Sequence, residues 1–240
     1  PFDLPDDRIA IREKLRRQLS KFEGTKEVSV RSNRKANSFN AFRESAKTLM
    51  LSAEAKAAFD IDREPAKIRE QYGRSTLGQS CLMARRLVEA GVRCVTIQHT
   101  DWDTHDENFR LLKDELLPPL DSAISTLFAD LEDRGLSDKT LVLVTGEFGR
   151  TPKIDGGAGG RGHFPAAFSL LLSGGGLNSG MCVGETDRTG MSCVGGCYTP
   201  EDLAETILTS LDINTHQELH SAEGRPYGMV NGGKRIKELF

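Results

Sequence analysis

Val92-Arg-Cys-Val-Thr-Ile-Gln98 runs directly into His99-Thr-Asp-Trp-Asp-Thr-His105. The first seven residues are rich in apolar and β-branched side chains and read as a buried strand. The next seven gather two carboxylates and an imidazole, Asp101, Asp103 and His105, within five positions. These are ligand types that a divalent metal takes. A second apolar stretch, Thr140-Leu-Val-Leu-Val-Thr145, leads into Gly146-Glu-Phe-Gly-Arg-Thr-Pro152. A Gly-rich loop then delivers Arg161-Gly162-His163. Three strand-end segments with metal-capable side chains predict one site assembled from distant parts of the chain.

Thr140 to Thr145 is almost wholly apolar, as in a strand covered on both faces. Phe168 to Leu172 reads as a third strand. Helical patterns alternate with these strands. Leu77 to Ala90 is a helix ended by Gly91 at a C-cap position. His105 to Arg134 is a long helical region interrupted by Pro118-Pro119 and closed by Gly135. Pro200 to Leu211 is a helix capped by Thr199. Upstream, Asp6 to Phe22, Ser38 to Leu49 and Ala53 to Phe59 read as helices, with a polar loop over residues 23–37. Pro65 starts a further helical turn. The order predicts an α/β fold with a mostly parallel central sheet flanked by helices. Residues 1–75 form a mainly helical N-terminal part, and residues 76–240 form the core. In such sheets, ligands sit at the carboxyl ends of the strands. The Asp103 and Glu147 segments both lie there.

The chain of 240 residues is long enough for one large domain, and its net charge of −3 marks no nucleic-acid or membrane-surface partner. No apolar run reaches the length of a membrane span, and no signal peptide opens the chain. Five Cys form an odd set, which argues against a fully paired disulfide framework. Cys81 and Cys94 lie in apolar surroundings and read as buried free thiols. Cys193 and Cys197 flank a Gly-rich turn and suit a disulfide or, with no second pair, less readily a metal pair.

Asp101, Asp103 and His105 alternate, so an extended backbone points all three to one face. Asp101 fits a helix cap equally well. Glu147 reads either as a ligand or as a loop carboxylate paired with Arg150. Arg150 either orients Glu147 or grips an anionic substrate bidentately, and Arg161 is the other candidate anion clamp. His163 lies where glycines allow close backbone approach; its plainer reading is a structural His against Phe164. His99 reads as a strand-end residue, and His216 and His220 as solvated. The Gly-rich stretches match no phosphate-loop or dinucleotide pattern, and no nucleophile elbow is present.

Trp102-Asp103-Thr104-His105, Gly146-Glu-Phe-Gly-Arg-Thr-Pro152 and Gly160-Arg-Gly-His163 together resemble the signature of the domain of unknown function 1501 family. These are sulfatase-like proteins abundant in planctomycetes and other bacteria. The resemblance covers most of the chain, including Leu177 to Asp187 and the tail Gly233 to Phe240. It implies the alkaline phosphatase superfamily, with a central sheet and a two-metal site that hydrolyses phosphate or sulfate esters. Carried over, the metal ligands fall on Asp103, His105, Glu147 and His163. The implied cofactors are divalent ions (zinc, manganese, magnesium or calcium), and the implied partner is a small-molecule or glycan ester. The full-length form is implied to be exported. Two departures stand out. Gly162 occupies the position before the late His where the family commonly has Asp. The family's early sheet strand, which carries the nucleophile, has no counterpart, so the chain looks like the C-terminal part of a longer protein. Thr104 and Thr145 are the nearest hydroxyls and read as strand or cap residues. A degenerate, non-catalytic member that binds metal, polyanion or glycan is the alternative expectation, and the chain alone is expected to be inactive on esters.

Overall fold

Ser75 opens a well-buried helix by accepting a hydrogen bond from Gly78 N at 3.1 Å. Its hydroxyl satisfies one of the donors that a helix start leaves free. The helix, α3 (Thr76–Glu89), ends on Gly91 at φ +91°. The Gly91 and Val92 amides bond back to Val88 O and Leu87 O, a Schellman closure that a residue with a Cβ adopts only under strain.

The computed structural model describes residues 52–240 except 158 and 222, together with Arg8, Ile11, Arg12, Lys14, Leu15, Gln18 and Phe42. Those seven isolated positions are helical and exposed. The loop expected over residues 23–37 lies outside the described residues. Before α3 come α1 (Ala53–Phe59) and α2 (Ala66–Gln71), the latter with Pro65 at its N-cap. After it come α4 (Asn108–Leu111), a π turn (Leu112–Leu116) and α5 (Leu117–Asp133). Pro118 and Pro119 fall in the first turn of α5, where a missing N–H costs little. The helix α6 (Pro200–Ser210) begins in a capping box between Thr199 and Asp202.

One face of α3 packs on α5. Leu77, Cys81 and Leu82 meet Ala123, Leu127 and Leu131, with Tyr72 filling the end of the seam. Each buried Leu contributes roughly 1.5–3 kcal/mol. Burial pushes the Cys81 thiol up to about 11. Cys94, expected to be buried, is exposed.

A polar knot closes the same helix pair. Arg85, 1% exposed, stands 3.0 Å from Glu64, 2.9 Å from Glu89 and 2.8 Å from Asp130. Its Nε and Nη2 meet those oxygens at angles too oblique for hydrogen bonds, so charge carries those two contacts. Tyr72 donates to Asp130 Oδ2 at 2.8 Å. Burial, then the bond to Asp130, hold the Tyr72 hydroxyl far above its ordinary range. Burial works to raise Glu64 and Asp130, yet both are lowered, because their arginine partners, and for Asp130 the Tyr72 hydroxyl as well, outweigh it.

Among the described residues the strands are short and antiparallel, in four two-stranded sheets: β1 (Val142–Val144) with β4 (Leu171–Ser173), β2 (Gly149–Arg150) with β3 (His163–Phe164), β5 (Glu185–Thr186) with β6 (Cys193–Gly195), and β7 (Glu218–His220) with β8 (Pro226–Gly228). The mixture of helices and small sheets has α/β character, but the expected parallel central sheet is not formed among the described residues. The physical reason lies in the connections. Parallel neighbours need a crossover, usually a helix. Residues 145–170 instead hold the β2–β3 hairpin, so the chain re-enters beside β1 in the opposite direction. Leu143, on the outer side of β1, is 38% exposed, so the sheet is not covered on both faces.

Val92 to Gln98, expected as a buried strand, runs extended but unpaired among the described residues. It is not a strand, because no backbone ladder partners it among the described residues. Its side chains do alternate from Cys94 to Thr100, and Ile97 packs against the α3–α5 core.

Candidate metal centre

Asp103 and His105 come from the loop after this extended segment. His105 N donates to Asp103 O at 3.1 Å, a tight i→i+2 turn that folds the two side chains together. Thr104 between them points inward, is buried, and accepts from Asn108 Nδ2 at the start of α4. Asp101 does not join them. Its φ of +74° breaks the extended alternation, and its Oδ2 accepts from Thr100 Oγ1 instead. Glu107, at the far end of the loop, has φ +48°. Non-glycine residues in this region cost free energy and collect at functional loops.

His163 arrives from the hairpin. Arg150 on β2 and His163 on β3 are register partners, so they stand side by side. The hairpin closes through Thr151 N to Gly162 O at 2.9 Å and Gly162 N to Thr151 Oγ1 at 3.1 Å. Its glycines matter at one point above all. A Cβ on Gly160 would lie 1.5 Å from His105 O, so only glycine lets the hairpin loop lie on the His105 loop.

Three donor atoms then converge. His163 Nε2 is 2.9 Å from Asp103 Oδ1, His105 Nε2 is 3.1 Å from the same oxygen, and the two nitrogens are 3.0 Å apart. Among the described residues, Asp103, His105 and His163 are the group with metal-ligand geometry. Hydrogen bonding does not satisfy such a triangle. If both imidazoles donate to Asp103, two N–H groups face each other at 3.0 Å; if only one does, another contact is left without a proton. A cation satisfies all three at once. Ligands ~2.1 Å from an ion and ~90–110° apart stand ~3.0–3.4 Å from one another.

Arg150 Nη2 donates to Asp103 Oδ1 at 2.6 Å and to Trp102 O at 2.9 Å, while Nη1 reaches Arg161 O at 3.2 Å. The His163 bond, then the Arg150 bond, hold the Asp103 carboxyl at about 2, so it is ionised and able to ligate at any neutral pH. Phe148 lies against the His163 ring at 4.4 Å. Arg161 places its guanidinium 5.0 Å from the Phe109 ring centroid and donates to Thr151 O at 3.3 Å.

The other expected residues fall elsewhere. Glu147 is exposed and stands outside the triangle. His99 Nδ1 accepts from Trp102 Nε1 at 2.9 Å, which helps set the loop. His216 and His220 are exposed, and His220 pairs with Glu218. Cys193 and Cys197 form a disulfide. Sequence reading missed the Thr104–Asn108 pair, although Thr104's place between two candidate ligands already implied an inward side chain. It had no signal for Phe148 or Phe109.

No curated protein and no solved structure matches the chain. The family model described as a protein of unknown function, DUF1501, matches residues 2–240. That span takes in the Asp103–His105 loop, the hairpin that carries His163 and both arginines beside them, and the chain belongs to the DUF1501 family.

Proposed function

We propose that Asp103, His105 and His163 hold one divalent cation, and that this centre belongs to a metal-dependent hydrolase of phosphate or sulfate esters. The convergence of three donor atoms at 2.9–3.1 Å carries this reading. The Trp102–His105, Gly146–Pro152 and Gly160–His163 strings resemble the DUF1501 signature, and the similarity of that family to the alkaline phosphatase superfamily supports the ester chemistry. Two imidazoles and one carboxylate suit zinc or manganese better than magnesium or calcium, which prefer all-oxygen shells. A divalent ion there supplies a Lewis acid and lowers the pKa of bound water. Three protein ligands leave room for solvent and substrate, as catalytic sites do. Arg161 is the remaining candidate anion clamp, because Arg150 gives its donors to Asp103 and two carbonyls. The Cys193–Cys197 disulfide supports an oxidising, exported setting.

A second reading, a non-catalytic member that binds metal with a polyanion or glycan, draws on the hydroxyls. Thr104 Oγ1 is buried against Asn108, and Thr145 Oγ1 donates to Gly146 O at 2.8 Å. Neither is aimed as a nucleophile. One experiment separates the readings: metal content and turnover of aryl phosphate and aryl sulfate with added zinc or manganese, for the chain and His163→Ala. Metal with turnover that His163→Ala abolishes supports the hydrolase. Metal without turnover, both in this chain and in a longer form that supplies the missing early strand, supports the second reading. No metal in the unmodified chain overturns both.

A further inference from the structure

The triangle poses a mechanical problem. Asp103 and His163 are 60 positions apart in sequence and come from different elements. The Asp103 side chain is 69% exposed and sits on a loop without ladder hydrogen bonds. Something must hold its carboxylate against the hairpin. Arg150 is the group that touches every part. It bonds the Asp103 carboxylate, the Trp102 carbonyl on the same loop and the Arg161 carbonyl just before β3. Its own backbone pairs with His163. Only 21% of the side chain is exposed.

We propose that Arg150 is a positioning residue for the metal centre: its guanidinium brackets the Asp103 loop to the β2–β3 hairpin and fixes the carboxylate facing His105 and His163. This rests on the metal reading above and assigns Arg150 away from the substrate. A ligating carboxylate is normally held by an outer hydrogen bond, and removing such a partner costs roughly 10–100-fold in metal affinity. The fork geometry is essential. Three acceptors on two segments match the planar, fixed donors of a guanidinium, whereas an ammonium is a single point charge. Lysine keeps the charge at this place and loses the bracket.

The test measures zinc affinity by competition with a chromophoric chelator for the unmodified chain, Arg150→Ala, Arg150→Lys and Arg110→Gln, with thermal unfolding alongside. Arg110, paired with Glu107 and Glu115 on the surface, controls for loss of an ordinary arginine. Arg150→Ala is expected to bind zinc about 10–100-fold more weakly. Arg150→Lys should recover little of that loss, and Arg110→Gln should match the unmodified chain. Added millimolar guanidinium should restore zinc binding to Arg150→Ala, which a mere folding defect would not allow. Should Arg150→Ala not fold, Arg150→Lys alone decides, by weak or full affinity. Full affinity in both variants, or a loss that guanidinium leaves unchanged, overturns the positioning role. An unmodified chain that binds no zinc overturns the metal reading and this inference with it.

Discussion

Two arginines organise the two halves of this molecule, and they do it differently. Arg85 is buried between α3 and α5 and meets three carboxylates supplied by regular helices and the turn before α2. Arg150 lies on a two-residue strand and meets one carboxylate and two carbonyls. Around Arg85 every acid has a cation within the protein. Around Arg150 the acid has two imidazoles turned toward it as well, and those side chains remain about half exposed. A buried arginine compensated by three carboxylates is a structural device. The exposed cluster, whose three ligand atoms crowd one another, is the observation on which the metal proposal rests.

The largest effect should therefore come from the helical half. Arg85→Leu leaves Glu64 and Asp130 as buried charges with less compensation and should cost about 3–5 kcal/mol. Urea unfolding checks it, and the folded fraction should still bind zinc normally. Leu82→Ala opens a cavity at a fully buried position in the same seam. About 2–5 kcal/mol should be lost, again with the metal centre intact. Should either variant lose zinc affinity while folded, the two halves are not separate devices.

Gly160→Ala asks the converse. The new Cβ collides with His105 O, so the loop must move. Zinc affinity should fall by roughly tenfold or more, while the urea midpoint shifts far less than for Leu82→Ala. A variant with unchanged affinity would show that the hairpin and loop adjust without disturbing the ligands.

The smallest effect is in pH dependence. The Asp103 carboxyl is depressed from 3.8 to about 2. A depressed carboxyl contributes stability that is present above its unfolded value and lost as pH falls through the folded one. The Asp103 contribution should thus persist from neutral pH to about 4 and disappear between about 4 and about 2. Comparing acid unfolding of the chain and Asp103→Asn reads this directly. Coincident curves across that window would mean the exposed cluster lends no ionic support.

What was legible in the sequence divides along the same line. Helices with apolar stripes and clear ends, such as Leu77 to Ala90 with its closing Gly91, were readable because cap and period are local signals. The capping Thr199 was readable for the same reason. Strand pairing is not local. Val92 to Gln98 has the alternation of a strand, but alternation names no partner, and antiparallel return beside β1 depends on the hairpin folded between residues 145 and 170. Asp103, His105 and His163 were readable as ligand types, and the structure brings them together. Glu147 shared their chemistry but lies outside the triangle, and a positive φ turned Asp101 away. The place of Arg150 depends on its register with His163, which no residue pattern displays.

The central claim is that three atoms 2.9–3.1 Å apart form a face of one metal shell. Anomalous diffraction at the zinc edge from crystals grown with zinc tests it most directly. One peak should appear within ~2.0–2.2 Å of Asp103 Oδ1, His105 Nε2 and His163 Nε2, and it should vanish in His163→Ala. A zinc-loaded crystal with no density at that point, or with its peak at Glu218 and His220 instead, would contradict the account.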